Sequence, residues 1–370
     1  MKKVWLFLHT EHIGGAEKRF AGLWKALQGR LGAFNLVLKK ELYQKFKSDN
    51  DIKGELVKYA DHIFFLDTSS TNEKLKSLYK GFIDKHANEG DIFHFIGEHP
   101  FLRTPKNKQI FSITQSSLKN LNAFGKAGHF LGVMFSDVID VLDPTIYKIM
   151  RSTFFYKKSR IHLTSNSFCD VNYYYALPFE EKKDWLVFLG RFEEVKQVKQ
   201  LLEAIPALYN ELNKTAENDL HFHFIGHGSL EIELRAIVQR EAFKNLPITI
   251  AYSNKPNEIL CKSKIFFSLQ LNNNYPSKSL IEAMSAGNIP VVTNVGETQW
   301  LAKPEFSYYV PEHFTTDDIV KAVRSVYNEG EKALSEKSKM ARQLVMQEHT
   351  LEKMRDYYLQ LYASLNEAEV

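Results

Sequence analysis

The 370-residue sequence predicts an α/β protein of two successive parallel-sheet halves, and three observations carry that prediction. Short apolar runs alternate with stretches of helical period from one end of the chain to the other, the pattern of parallel-sheet domains. The alternation restarts at Trp185, after an aromatic and then charged segment, 168–183, that contains Pro178. The chain is also too long for one ordinary core, so two domains are expected.

In the first half, strands are expected at Val4–Leu8, Phe34–Leu38, 62–66, 91–96, 110–114 and 160–164. Gly14-Gly15 opens a helix whose face carries Phe20, Leu23, Trp24 and Leu27 at helical spacing, and 73–86 reads as another helix. In the second half, strands are expected at 185–189, His221–Ile225, Ile248–Ala251, 265–269 and Ile289–Thr293. Helices are expected at 199–212, 230–242, 279–286 and 317–328. The chain closes on helical patterns at 331–347 and 351–365. Two such Rossmann-type halves would leave a cleft, with ligands outside the carboxyl ends of the strands.

Composition narrows the class. Hydrophobic residues at 44% and charged residues at 25% are those of a globular protein. The formal charge of +4 suits anionic partners such as phosphates or an acidic membrane surface. There is no run of five basic residues, so nucleic acid is not expected as a partner. Cys169 and Cys261 stand far apart in no metal spacing, which fits a reducing compartment. The short apolar run after Met1-Lys2-Lys3 reads as a first strand, not a signal peptide, and no stretch has the roughly 20 apolar residues of a membrane span. A cytoplasmic protein is expected, with peripheral attachment to the inner face of the membrane left open.

The residues with chemistry follow strands. Gly190-Arg191 comes after strand 185–189, with Lys196 five positions on near a helix start. Arginine offers a planar fork to phosphate and lysine a compact charge, although a solvated loop would look the same. Gly226-His227-Gly228 follows the next strand, where glycines permit a tight turn or close approach of a ligand. The richest stretch runs from Asn274 through Pro276, Ser277, Lys278, Ser279 and Glu282 to Gly287. The N–H groups of Ser277, Lys278 and Ser279 at a helix start make an anion site. Glu282, one turn on, can accept both hydroxyls of a ribose. The bland alternative is an exposed i,i+4 pair of Lys278 with Glu282.

At these residues the sequence resembles glycosyltransferase family 4 (glycosyltransferase group 1), retaining enzymes of the GT-B fold: two facing Rossmann-like domains, an interdomain cleft and a C-terminal return helix. The resemblance implies an acceptor domain over 1–167, a linker over 168–183, a nucleotide-sugar domain over 184–348 and a helix over 349–370 that packs back on the first domain. The stretch from Gly14 and Gly15 to Arg19 looks like the family's glycine turn, bordering the donor diphosphate and the acceptor. Residues 91–94, Asp-Ile-Phe-His, look like its buried fourth-strand motif. Gly190-Arg191 through Lys196 to Glu203-Ala204 matches its phosphate-binding segment, which implies that Arg191 and Lys196 grip the diphosphate. Gly226 and Gly228 correspond to its Gly-Asp-Gly turn, with His227 in place of Asp.

Glu282 stands at the second glutamate of the family's paired-glutamate motif, whose role is ribose binding. Asn274 stands where the first glutamate contacts the transferred sugar, which keeps hydrogen bonding but loses the charge. Gly296-Glu297 replaces a double glycine, and Glu297 can supply a carboxylate there. A His after the fifth strand is absent, since 113–117 reads Ile-Thr-Gln-Ser-Ser. Glu98 and His99 are the nearest titratable pair, on the acceptor side, with a surface-loop histidine as the plain alternative for His99.

The implied function is transfer of a sugar, with retention, from a UDP- or GDP-sugar to a glycan or lipid-linked acceptor in surface polysaccharide or glycoconjugate synthesis. Arg191, Lys196, Asn274 and Glu297 would be catalytic. Gly15, Gly226, Gly228, Ser277, Lys278, Ser279 and Glu282 would complete the donor site. No metal and no cofactor is expected, because no acidic pair is placed for one. The competing readings are a catalytically degenerate relative acting as a binding or scaffold protein, favoured by Asn274 and the missing His, and a nucleotide-sugar epimerase.

Overall fold

The structure, a computed structural model, describes residues 2–11, 13–31, 33–49, 52–66, 75–114, 123–164, 167–213, 219–273 and 275–367. The chain divides into two units, one of Met1–Asn166 with Leu351–Val370 and one of Ser167–Thr350.

The first unit runs β1 (Val4–Leu8), α1 (Gly15–Leu27), β2 (Phe34–Leu38), α2 (Lys40–Phe46), α3 (Lys53–Lys58), β3 (Ile63–Phe65), α4 (Leu75–His86), β4 (Ile92–Ile96), β5 (Lys108–Ile113), α5 (Ala123–Phe135), β6 (Val138–Val141), α6 (Pro144–Thr153) and β7 (Ile161–Leu163). Its strands form one parallel sheet in the order β3-β2-β1-β4-β5-β6-β7. β1, β2 and β4 are buried along their whole length, which is why they read as apolar runs broken only by the buried Asn35 and His94. Trp5, Phe7, Tyr79, Phe82, Phe93 and Phe95 interlock in an aromatic core with ring centroids 5.0–6.4 Å apart.

The second unit runs β8 (Lys183–Leu189), α7 (Val198–Leu212), β9 (His221–Ile225), α8 (Glu231–Ile237), β10 (Ile248–Ala251), α9 (Asn257–Leu260), β11 (Ser263–Ser268), α10 (Lys278–Ser285), β12 (Ile289–Thr293), α11 (Thr298–Leu301), β13 (Tyr308–Val310), α12 (Thr316–Asn328) and α13 (Glu331–Glu348). The strands pair in parallel in the order β10-β9-β8-β11-β12-β13. One face packs on α7, α8 and α12 through Leu201, Leu202, Ile205, Phe222, Phe224 and Val323. The other carries Val187, Phe266, Leu280, Met284 and Val345.

The final helix, α14 (Leu351–Glu367), belongs to the first unit and packs on α1. Its docking is polar as well as apolar. The Tyr358 hydroxyl donates to Asp140 Oδ2 at 2.6 Å, and Ser112 Oγ donates to the same oxygen at 2.6 Å. With the Ser112 proton committed there, His94 Nε2 at 2.6 Å from Ser112 Oγ is the N–H donor. His94 Nδ1 then accepts from Tyr362 Oη at 2.8 Å. Burial pushes the His94 pKa down to about 3, so the ring is neutral. Arg19 of α1 adds its charge beside Tyr358 and Asp140. The 91–94 segment is thus internal scaffolding: Asp91 accepts from Trp5 Nε1 at 2.8 Å and pins the start of β4 to β1.

Several elements differ from the sequence expectation. The helix expected over 230–242 stops at Ile237, and a separate 3-10 turn follows at Glu241–Phe243. β6 and β13, and the helices α2, α3, α5, α6, α9 and α11, have no named counterpart in it. Segment 168–183, read as a linker, is built into the second unit. Cys169 N donates to the His349 carbonyl at 3.0 Å, and Tyr174 and Phe179 are buried. Lys182 Nζ donates to the carbonyls of Cys261, Ser263 and Ala286 at 2.8–3.1 Å. Both cysteines are free and buried, and burial pushes the Cys169 thiol up to about 12, which leaves it unreactive.

Candidate functional site

Ligands of open parallel sheets settle where the strand order reverses. That point lies between β1 and β4 in the first unit and between β8 and β11 in the second. Polar side chains from the flanking loops pair at each.

In the second unit the chain leaves β8 at Gly190, passes Arg191 and Phe192, and makes a 3-10 turn, Glu194–Lys196, into α7. This loop is zipped to the turn after β9. Gly190 N donates to Ile225 O at 3.0 Å, Phe192 N to His227 O at 2.8 Å, and Leu230 N to Phe192 O at 3.0 Å. A Cβ at Gly226 would overlap the Gly190 carbonyl, and one at Gly228 would strike the Phe192 backbone. The glycines at 226 and 228 are therefore required by one loop lying on the other.

The two cations of this segment differ in setting. Arg191 is exposed and pairs with Glu193 at 2.6 Å. Lys196 is half-buried, and its Nζ donates to the neutral amide oxygen of Gln270 at 2.7 Å. Among the described residues no carboxylate lies within ion-pair distance of it. Desolvation first, and the Arg191 charge second, push its pKa down to about 8. An ammonium held in a dry place by a neutral group attracts an anion.

Gln270 is the residue that sequence reasoning missed. It follows β11 and is locked by Thr293 at the end of β12, whose Oγ1 accepts from Gln270 N at 2.7 Å and donates to Gln270 O at 2.9 Å. Leu271 N also donates to Val195 O at 3.0 Å, so the strand end and the lysine turn move as one piece. Next to Lys196, Gln197 caps α7 in the left-handed region and buries its Nε2 without a partner among the described residues.

α10 begins on the same edge of the sheet. Ser277 is its N-cap in extended backbone and makes no side-chain cap bond, so its own hydroxyl does not occupy the first-turn N–H groups of α10. Ser277 Oγ lies 3.5 Å from Ser279 Oγ. Lys278 Nζ is 3.7 Å from Glu282, but the carboxylate is buried rather than on an exposed face. The Tyr174 hydroxyl hydrogen-bonds to it and has its own pKa raised by burial and by that charge. Asn274 lies outside the described residues. Its neighbour Asn273 accepts from Tyr275 N and from Glu297 N, both at 3.2 Å. Gly296, at φ +51°, packs so closely on Asn273 that no Cβ would fit. Glu297 is half-buried at the start of α11.

In the first unit, His9 Nε2 after β1 meets Glu98 Oε2 after β4 at 3.2 Å, and this bond holds the Glu98 carboxyl below its usual range. Glu98 was anticipated; His9 was not. His99 is neither a surface histidine nor a group open to an acceptor. It is buried among Phe95, Phe101, Phe111 and Phe135, accepts from Phe101 N at 3.0 Å and donates from Nε2 to Gln109 at 2.9 Å. Its aromatic cage pushes its pKa down to about 4. Gly15 opens α1 with free space around it, and Glu17 shapes the turn by accepting from Gly14 N at 2.8 Å and Thr10 Oγ1 at 2.9 Å.

Residues 175–343 match the family model described as glycosyl transferases group 1. Similar solved structures cover nearly the whole chain. A glycosyltransferase from Rickettsia africae superposes with a TM-score of 0.74 at 13% identity, covering 99% of each chain. Anabaena HepE, solved in complex with UDP, gives 0.72 at 12% identity over 98% of this chain and 100% of its own. The sucrose-phosphate synthase of Thermosynechococcus elongatus gives 0.72 at 15% identity over 100% of both. At these identities the likeness is one of fold, and the fold is that of two-domain GT-B glycosyltransferases. No curated protein sequence matches the chain.

Proposed function

We propose, from the match of residues 175–343 to the model of glycosyl transferases group 1, that this chain is a glycosyltransferase that moves a sugar with retention from a nucleotide-diphosphate donor to a glycan or lipid-linked acceptor. The observation that carries the donor half is the Lys196 ammonium, desolvated against a neutral amide where the strand order of the second unit reverses. Arg191, Lys196 and the N–H groups of Ser277, Lys278 and Ser279 stabilise the departing diphosphate, the electrostatic task that dominates such a reaction and that here needs no divalent cation. Glu282, held by Tyr174 and Lys278, takes the ribose hydroxyls. Asn274 and Glu297 attend the sugar. Gly226 and Gly228 shape the phosphate loop, and Gly15 leaves room at the turn after β1. Glu98 with His9 serves the acceptor. UDP is the favoured nucleotide, since HepE was solved with UDP and with UDP-glucose. A lipid-linked acceptor of surface glycan synthesis would place the enzyme peripherally on a membrane.

Titration calorimetry with UDP tests the donor site. Lys196→Ala and Glu282→Ala are each expected to weaken binding by about 1–3 kcal/mol while the melting temperature stays near wild type. Unchanged affinity in both variants would reject this assignment of the site.

A further inference from the structure

α5, of sequence AFGKAGHFLGVMF, is apolar around nearly its whole circumference, with Lys126 as its sole Lys, Arg, Asp or Glu. A helix of this kind is normally enclosed on all sides. Here only one side is: His129, Gly132 and Val133 are buried. Phe124, Leu131 and Met134 point outward along the opposite stripe, and Phe124 is 88% exposed.

The stripe continues onto the turn that precedes β7. Phe130 of α5 meets Phe154 at 5.7 Å, Phe154 meets Tyr156 at 6.2 Å, and Lys157 Nζ donates to the Val133 and Met134 carbonyls of α5 and to that of Ser136 just beyond it, at 2.9–3.1 Å. So fixed, Phe155 and Tyr156 stand 69% and 61% exposed beside the helix end. The exposed charge of the same stretch of chain has one sign. Across residues 123–160 the exposed charged side chains are Lys126, Lys148, Lys158 and Arg160, all cationic. The acids of that stretch turn inward: Asp140 and Asp143 are buried, and Asp137 accepts from Gln109 N at 2.8 Å.

We propose that this α5 face and the Phe155-Tyr156 turn form a docking surface for an anionic lipid bilayer. Aromatic side chains would enter the headgroup boundary while the four cations meet acidic headgroups. No helix among the described residues is long and apolar enough to cross a membrane, and α5 at 13 residues lies on a surface instead. The proposal gives the lipid-linked acceptor reading a place on the molecule, but it stands on residues that take no part in the donor site.

The test is vesicle flotation of the full chain. Wild-type protein is expected to float with phosphatidylglycerol–phosphatidylcholine vesicles, and far less with phosphatidylcholine alone or in high salt. Two variants, F124S/F155S/Y156S and K126E/K158E/R160E, are each expected to lower vesicle affinity about tenfold or more. All six residues are exposed, so melting temperature and UDP affinity should stay at wild-type values in both. Failure of the wild type to float, or flotation indifferent to both variants, would overturn the surface. So would concentration-dependent dimerisation in sedimentation that F124S/F155S/Y156S abolishes without any vesicle binding, since the face would then join two copies of the chain. Vesicle binding without UDP binding would remove the donor reading and leave the surface standing.

Discussion

The donor-binding role proposed for the segment after β8 turns on one proton. Lys196 loses its charge near pH 8, well below an ordinary lysine, because its ammonium is desolvated. An anion binds the protonated form, so affinity for UDP is full below about pH 8 and falls as pH rises through that value. Calorimetry at pH 7 and pH 9 is expected to show about a tenfold loss, and Lys196→Met should abolish the difference. Arg191 and Lys196 stood out in the sequence as cations after a strand, but only the structure separates the exposed, Glu193-paired arginine from the desolvated lysine. Gln270 did not stand out, since its role arises from a contact across 74 positions and an amide advertises nothing on its own. The same holds for His9, which gains meaning only when β1 and β4 become neighbours and bring Glu98 to it. His99 misled for the opposite reason: a histidine after a strand looks available, and only the aromatic cage around it shows that it is not.

Among the elements, α14 has the most to lose from a small change. Tyr358 gives a buried carboxylate one of its hydrogen bonds, and Tyr358→Phe leaves Asp140 short of a partner inside the protein. A loss of about 1–3 kcal/mol is expected in urea denaturation, with UDP affinity untouched. The strands that the sequence announced, such as β1, β2 and β12, are five residues long, buried on both faces and so appear as mainly apolar runs. α5 escaped because it has no polar side: without an alternating face there is no 3.6-residue period to detect. β6 escaped because it is only four residues long and one of them is Asp140, whose partner Tyr358 lies on α14, more than 200 positions away. Segment 168–183 looked like a linker for its proline and charges, whereas Lys182 and Tyr174 are what tie it into the second unit.

At the scale of the whole chain, buried neutral imidazoles set the acid limit. His94 and His99 titrate near 3 and 4 in the folded protein and near 6.5 once unfolded. Below pH 6.5 the unfolded chain binds protons that the folded one refuses, so stability falls as pH drops and levels off only below about 3. Each ring is worth on the order of 3 kcal/mol between pH 7 and 4. Urea midpoints across that range should trace this slope, and His99→Gln should flatten it; a constant midpoint would contradict it. The path of the chain carries a consequence of another kind. The second unit is a single continuous segment, Ser167–Thr350, whose ends meet where Cys169 bridges Thr350, while the first unit needs α14 to close over His94 and Asp140. A ribosome working from the N-terminus therefore finishes the inserted unit before it releases the piece that completes the first. Until α14 emerges, the nascent first sheet waits with a carboxylate and an imidazole uncovered, so the half of the molecule that is synthesised first is the half that finishes folding last.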